Sequence, residues 1–168
     1  MKSKLSHITL TMAVFLSVSG TAAAADQAQQ QIDRGRYLIK TAGCNDCHTP
    51  AYPEKSGLIP EQEWLTGNNT GFSGPWGVTY PVNLRNYVKN MSESQWMARV
   101  RKPMRPPMPW FALRDMSDMD LQAIYAYLRA AGPKGDDAPA YLPPGQEVQT
   151  PYIEFFPKNL PLQAMAKP

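Results

Sequence analysis

Three residues capable of metal and redox chemistry lie together early in the chain. Cys44 and Cys47 are its only cysteines, and His48 follows directly in the segment "CNDCH". Covalent haem attachment uses all three residues, because two thiols add to the haem vinyl groups and the adjacent imidazole binds the iron. We therefore expect one covalently bound haem c, with its iron held on one side by His48.

Two other chemistries of this motif stay as alternatives. A structural zinc site takes about four protein ligands, so carboxylates would have to complete it. A thiol–disulfide oxidoreductase using Cys44 and Cys47 would place them in an alternating strand and helix pattern. No strand alternation surrounds the segment. A plain disulfide would leave His48 without a role.

The segment "KPMRPPMPW" (102–110) holds four prolines and two methionines. Proline fixes φ and removes a backbone donor, so no regular element is expected to run through it. A thioether opposite histidine raises the haem potential and fills the sixth iron position. The strip therefore predicts a distal ligand, Met104 or Met108. Residues four apart on a polyproline II path point in different directions, so both should not face the iron. Three other methionines are expected to serve packing: Met97, Met116 and Met119.

The amino terminus has the pattern of a secretory signal peptide. Lys2 and Lys4 precede the apolar run 8–20, and Ala23 and Ala25 form an A-x-A cleavage site. We expect cleavage after Ala25 and export to the periplasm. The apolar run is too short to span a membrane comfortably, so no integral membrane segment is expected in the mature chain.

Three segments have helical signals. Residues 27–42 lead into the cysteine motif with apolar residues at helical spacing, and Gly35 among them indicates a close helix contact. Ser92 with Gln95 forms a capping box for a second helix. Ser117 caps the third, which should end at Gly132.

Two further regions lack a regular period. Residues 49–81 are rich in turn formers and predict an ordered loop wrapped on the haem. Residues 132–168 contain eight prolines and several aromatic side chains. A solvated linker rarely holds so many aromatics, so we expect this tail to lie extended against the body or against a partner subunit.

The sequence resembles the class I c-type cytochromes. "RGRYLIKTAGCNDCHTP" is similar to their first helix and haem motif, and "MPW" with "LRDMSDMDLQAIYAYLRAAG" is similar to their methionine loop and last helix. "WLTG" and "YPVNL" resemble cytochrome modules of periplasmic dehydrogenases, which commonly carry three haem motifs where this chain has one. The resemblance implies an all-α fold whose terminal helices cross near Gly35. The expected division is a signal peptide at 1–25, a cytochrome c domain at 26–131 and a Pro-rich extended tail at 132–168.

The resemblance also implies roles for individual residues. Met108 lies in the segment similar to the ligand loop, so we favour it over Met104 as the distal ligand. Asn83 and Tyr80 fall where the family often hydrogen-bonds a haem propionate, and Trp110 is expected to pack near the haem. Around the helix crossing we expect three packing residues: Tyr37, Tyr125 and Leu128.

We therefore expect an electron carrier rather than an enzyme, with no catalytic residues. It would accept electrons from a dehydrogenase or pass them to a respiratory partner such as a terminal oxidase or another cytochrome. The alternative is a haem-based ligand sensor or small catalyst with a labile sixth ligand. Nucleic acid is not an expected partner, because no binding motif is recognisable. A basic run is expected to dock an acidic redox partner; it consists of Arg85, Lys89, Arg99, Arg101, Lys102 and Arg105.

Overall fold

The computed structural model describes residues 8–158, with side chains from residue 23 onward. Six helices form most of it: α1 (Ile8–Thr41), α2 (Cys44–His48), α3 (Leu84–Tyr87), α4 (Glu93–Val100), α5 (Trp110–Asp115) and α6 (Asp118–Ala131). A 3-10 turn (Glu61–Glu63) and three short strands complete it: β1 (Gly71–Gly74), β2 (Gly77–Thr79) and β3 (Tyr152–Glu154).

The first helix runs from Ile8 to Thr41. The prediction placed its start at residue 27, whereas residues 8–25 belong to the same helix. Residues 1–7 of the predicted signal peptide lie outside the described part of the chain. Among the helices in residues 8–158, none is long and apolar enough to cross a membrane. Cleavage after Ala25 stays a prediction.

Helices α1 and α6 cross at Gly35, as predicted. A Cβ added at Gly35 would lie 2.0 Å from the backbone oxygen of Ala123, so only glycine permits this approach. Leu128 is fully buried at the crossing, as expected. Tyr37 is instead 57% exposed, because it lies two residues, about 200° around the helix, from Gly35. Tyr127 takes the expected place, with its Cβ 2.9 Å from that added Cβ.

The two later helices begin as their capping residues predict. Ser92 Oγ accepts from the backbone N–H of Gln95 at 3.2 Å, and the Gln95 side chain accepts from the Ser92 N–H at 2.8 Å. Ser117 Oγ accepts from the N–H of Asp120 at 3.1 Å. These bonds satisfy amide groups that would have no partner within the first turn.

The predicted irregular loop at 49–81 contains a hairpin, which is a correction. Strand β1 pairs with β2 antiparallel, with Phe72 opposite Thr79. Strand β3 then pairs with β1 in parallel, with Ile153 opposite Phe72. Strands of three or four residues with several glycines carry too short a period to detect, and the third strand comes from the distant tail.

The described part of the tail lies on the body of the protein. Leu142 forms a β-bridge with Val78, and the Tyr141 hydroxyl donates to the Trp76 carbonyl at 2.8 Å. The ring of Phe155 meets the ring of Phe72 edge-on, with centroids 5.5 Å apart. Of the two predicted locations, residues 132–158 therefore occupy the one against the body.

Candidate haem site

A cavity of about 730 Å³ lies between the cysteine motif and the proline strip. This volume falls within the range of about 300–1,000 Å³ typical of ligand pockets. Its apolar walls come from α1, α4, α5 and α6, through side chains that include Ile39, Trp96, Val100, Leu113, Ile124 and Leu128. Such walls exclude water, which is what a buried iron porphyrin needs on its faces.

The wall formed by α2 carries the three motif residues. Gly43 adopts a left-handed conformation (φ 73°) that turns the chain from α1 into α2. Cys44 and Cys47 are partly buried free thiols that line the cavity. His48 lines it too, with 8% of its surface exposed. The structure thus brings both thiols and the imidazole to one wall, as the sequence predicts.

His48 is held in a single ring orientation. Its Nδ1 lies 2.8 Å from the carbonyl oxygen of Val82. A carbonyl only accepts, so Nδ1 carries the proton and Nε2 keeps a free lone pair. Burial lowers the pKa of His48, which favours the neutral imidazole that binds metals. This is the arrangement in which a second hydrogen bond fixes a metal-binding histidine.

The two thiols differ from those of a thiol–disulfide oxidoreductase. Burial raises the pKa of Cys44 to about 11. Burial, with a smaller contribution from the Asp46 carboxylate, also raises the pKa of Cys47. Reactive cysteines of redox enzymes instead have lowered pKa values, because a thiolate is the nucleophile.

A buried brace behind α2 was missed in the sequence. Thr49 Oγ1 donates to Asn45 Oδ1 at 2.8 Å and accepts from the Leu65 N–H at 2.8 Å. Asn45 and Thr49 are fully buried. The carbonyl of His48 also accepts from the Gly67 N–H at 2.9 Å. These bonds fix the motif to the following loop. The only sequence signal for this brace was the presence of polar residues inside and just after "CNDCH". The backbone N–H groups that complete it belong to Leu65 and Gly67, which lie many residues further along the chain.

Three methionines also line the cavity, and we call their part of the lining the methionine wall. Met104 and Met108 both belong to it, and which of them faces the iron stays a prediction. The strip is not one continuous polyproline II path, because the chain turns at Pro106 and Pro107. Met116, expected to serve only packing, lines the cavity as well. The choice of Met108 as iron ligand stays a prediction.

Asn83 and Tyr80 line the cavity, but their polar atoms are engaged elsewhere. The amide of Asn83 donates to the carbonyls of Lys134 (2.7 Å) and Asp136 (3.0 Å), and its oxygen caps α3 by accepting from the Asn86 N–H. The Tyr80 hydroxyl bonds to Thr150 Oγ1 at 2.7 Å. Asn83 has both amide hydrogens engaged with the tail, whereas either oxygen can donate in the bond between Tyr80 and Thr150, so a propionate contact of Tyr80 stays a prediction.

Trp110 is not among the residues that line the cavity, and a contact with the haem stays a prediction. It begins α5 and is partly exposed, and the guanidinium carbon of Arg114 lies 5.4 Å from its ring centroid. Pro109 lines the cavity and Trp110, the next residue, does not. Helix α5 starts at Trp110, so the backbone changes direction between the two.

Two members of the basic run are structural, which is a further correction. Arg85 is 8% exposed and donates to the carbonyls of Gln62, Ala131 and Gly132. Its cation thereby lies at the carboxyl end of α6, where the helix dipole favours positive charge. Arg101 donates to three carbonyls of the α5–α6 region and pairs with Asp118.

The other four basic residues remain available to different degrees. Lys89, Lys102 and Arg105 are exposed, and Arg105 also lines the cavity. Arg99 is partly buried, lines the cavity and donates to the Tyr87 hydroxyl at 3.1 Å. The available positive charge is therefore concentrated near the methionine strip.

The residues present fit a covalently bound haem. Two thiols, an oriented imidazole and three thioethers line one cavity, and the remaining lining is mostly apolar. This set of donors agrees with iron carried in a covalently attached porphyrin. Within residues 8–158 no group of three or more His, Cys, Asp or Glu side chains could hold a metal ion by itself.

This fold and site define a class I c-type cytochrome. The family model for cytochrome c matches residues 32–132, more than half of the chain, and the chain belongs to that family. It carries haem c with its iron, and Cys44 and Cys47 fit the attachment motif of the family. Membership of this family supports a role in electron transfer.

Two curated proteins are similar to the chain. A nicotinate dehydrogenase subunit of Pseudomonas putida is 24% identical over 127 residues, which cover 65% of this chain and 9% of that protein. The fructose dehydrogenase cytochrome subunit of Gluconobacter japonicus is 28% identical over 108 residues, which cover 58% of this chain and 20% of that protein. The chain thus spans a fifth or less of the length of either relative. No solved structure gives a significant match.

Proposed function

We propose that this cytochrome is a periplasmic electron-transfer protein whose single haem is ligated by His48 and Met108. The observation that carries the proposal is that one cavity is lined both by a buried imidazole fixed through Nδ1 and by thioethers of the proline strip. Bound haem supplies an iron that cycles between the ferric and ferrous states.

The protein's own residues prepare this cycling. The Val82 carbonyl holds the His48 ring in one orientation, so the ligand does not need to rotate between redox states. A thioether on the opposite side fills the sixth position, excludes small ligands and raises the potential. The apolar lining keeps water from both faces. Each feature favours transfer of an electron over binding of a substrate.

A dehydrogenase is the proposed electron donor. Both relatives bear the names of dehydrogenase subunits, one of them a cytochrome subunit. A terminal oxidase or another cytochrome would receive the electron. The exposed cations near the methionine strip, Lys102 and Arg105, suit an acidic face on either partner.

Absorption spectroscopy of the full-length gene product, expressed in a host that attaches haem in the periplasm, tests this function. We expect a haem spectrum with the methionine–iron band in the ferric state, and a ferrous protein that does not bind carbon monoxide. Ready binding of carbon monoxide would favour the ligand sensor. A colourless protein with two titratable thiols would favour the thiol–disulfide alternative.

The location needs its own measurement. We expect the mature protein to be recovered from the periplasmic fraction with its amino terminus at Asp26, because Ala23 and Ala25 provide the cleavage pattern. Substituting Ala25→Arg should block processing and leave the precursor at full length. Protein that is found in the cytoplasmic fraction and retains residues 1–25 would contradict the periplasmic assignment.

A further inference from the structure

A stretch of the tail forms part of the lining of the haem cavity. We call residues 134–142 the strap. Within it, residues 137–141 line the cavity together with the cysteine motif and the methionines. The strap lies beyond residue 132, where the match to the family model ends. A wall of the haem cavity is therefore built from chain that the family model does not include.

One end of the strap is tied to the side of the cavity that holds His48. Asn83 donates to the carbonyls of Lys134 and Asp136, at 2.7 and 3.0 Å. The Asn86 amide donates to the Gly135 carbonyl at 3.0 Å. Asn83 directly follows Val82, whose carbonyl receives the His48 Nδ1 proton. The residue that binds the strap, Asn83, is therefore the chain neighbour of the residue that holds the His48 ring, Val82.

The other end is tied to the methionine strip. The guanidinium carbon of Arg105 lies 3.9 Å from the centroid of the Tyr141 ring, well within cation–π range. Arg105 lies between the two methionines of the proline strip, directly after Met104 and three residues before Met108. The Tyr141 hydroxyl donates to the Trp76 carbonyl at 2.8 Å, and Leu142 bridges to Val78, so the strap is also fixed to the hairpin.

We propose that the strap is a clasp that holds the methionine strip against the haem, with Arg105 and Tyr141 as its positioning pair. It joins the histidine side of the cavity to the methionine side through residues outside both iron ligands. Loss of the pair frees the strip to move away, so an external ligand competes better for the sixth iron position. The proposal rests on methionine ligation as stated under the proposed function.

Imidazole titration of the ferric full-length protein tests the clasp. A nitrogen–iron bond forms as the sulfur–iron bond breaks, and the iron keeps its oxidation state. The test variants are Tyr141→Leu, which keeps apolar bulk, and Arg105→Gln, which removes the cation without adding a thioether. Each should bind imidazole about two- to fivefold more tightly than the unmodified protein, the range expected for an exposed cation–π pair. The double variant should match the stronger single variant, because both remove one interaction.

Control variants separate positioning from general destabilisation. Arg105→Lys keeps a cation over the Tyr141 ring and should bind imidazole as the unmodified protein does. Tyr141→Phe keeps the ring but loses the hydroxyl bond to the Trp76 carbonyl, so its affinity for imidazole should lie between those of the unmodified protein and Tyr141→Leu. Arg34→Met removes a similar arginine–tyrosine stack with Tyr37 on α1, and should leave the affinity unchanged. Arg105 is exposed, so its variants are expected to fold even where a Tyr141 variant does not.

The outcomes distinguish the clasp from the proposed function. Absence of a haem spectrum in the unmodified protein contradicts the electron-transfer function, and absence of the methionine–iron band contradicts the ligation. Where the band is present, an unchanged imidazole affinity in Arg105→Gln overturns the clasp alone. So does a double variant whose effect equals the product of the single effects. A two- to fivefold increase confined to the variants that break the stack supports it.

Discussion

The two walls of the haem cavity are built in different ways. On one wall, the two thiols and the imidazole come from five consecutive residues on a single short helix, and His48 is fixed by one hydrogen bond to the Val82 carbonyl. On the other wall, the methionines come from a proline-rich strip that turns midway. That strip is held by contacts from the hairpin and the tail, including Thr79 Oγ1 to the Pro106 carbonyl at 2.7 Å and the Arg105–Tyr141 stack. Local sequence determines the first wall, and tertiary contacts determine the second.

The largest expected effect lies on the histidine wall. Substituting both Cys44→Ala and Cys47→Ala removes the two attachment points, so we expect complete loss of covalently bound haem. Haem staining after denaturing electrophoresis measures this directly. Met119→Ala is the control, because Met119 is 76% exposed and does not line the cavity. Staining that survives in the double variant would refute attachment through this motif.

The helix that leads into the histidine wall should tolerate little change at its crossing point. Gly35→Ala places a Cβ 2.0 Å from the Ala123 oxygen, so the helices must separate. We expect the free energy of unfolding to fall by roughly 3 kcal/mol, at the upper end for overpacked cores. Chemical denaturation checks this, with the exposed Gln31→Ala on the same helix as control. Equal stabilities would show that the crossing is not as close as described.

Two threonines provide a matched comparison of the walls. Thr49→Val leaves the Leu65 N–H and Asn45 Oδ1 without partners in the buried brace, and should cost roughly 2 kcal/mol of stability. Thr79→Val removes a single hydrogen bond to the Pro106 carbonyl of the proline strip, and this bond is more exposed. It should therefore lower the free energy of unfolding by at most about 1 kcal/mol. Thermal or chemical denaturation of both variants gives the two costs. A larger cost for Thr79→Val would reverse the comparison.

The smallest expected effect concerns surface charge beside the methionine wall. Lys102 is exposed near the cavity, so Lys102→Gln should slow reduction by the anionic reagent ferrocyanide by about twofold at low salt. The difference should vanish at high ionic strength, because exposed charges are screened there. Stopped-flow kinetics across salt concentrations measures it, and Lys55→Gln, outside the cavity lining, is the control. Rates independent of salt in the unmodified protein would remove the electrostatic argument.

The sequence predicted best what depends on neighbouring residues. The cysteine motif, the capping box at Ser92 and the close helix contact at Gly35 each follow from a few residues and their chemistry. Arg85 could not be distinguished from surface charge, because its three carbonyl partners lie 23 to 47 residues away. The hairpin escaped because its strands are too short and too rich in glycine to show a period, and the third strand escaped because it comes from a distant tail whose composition gives no register.

The methionine wall shows this limit within the site itself. Polyproline geometry separates Met104 from Met108 only while the path is continuous, and the turn at Pro106 and Pro107 brings both to the cavity. Asn83 was expected at the haem, yet its amide holds the tail. Both outcomes depend on where the tail and the hairpin lie, which sequence spacing does not encode.

The central claim is that Met108 faces His48 across the haem. Separate Met108→Ala and Met104→Ala variants of the haem-loaded protein test it through the methionine–iron absorption band and carbon monoxide binding to the ferrous state. We expect Met108→Ala to lose the band and bind carbon monoxide, and Met104→Ala to keep the band and exclude carbon monoxide. Loss of the band in Met104→Ala, with Met108→Ala unchanged, would contradict the assignment.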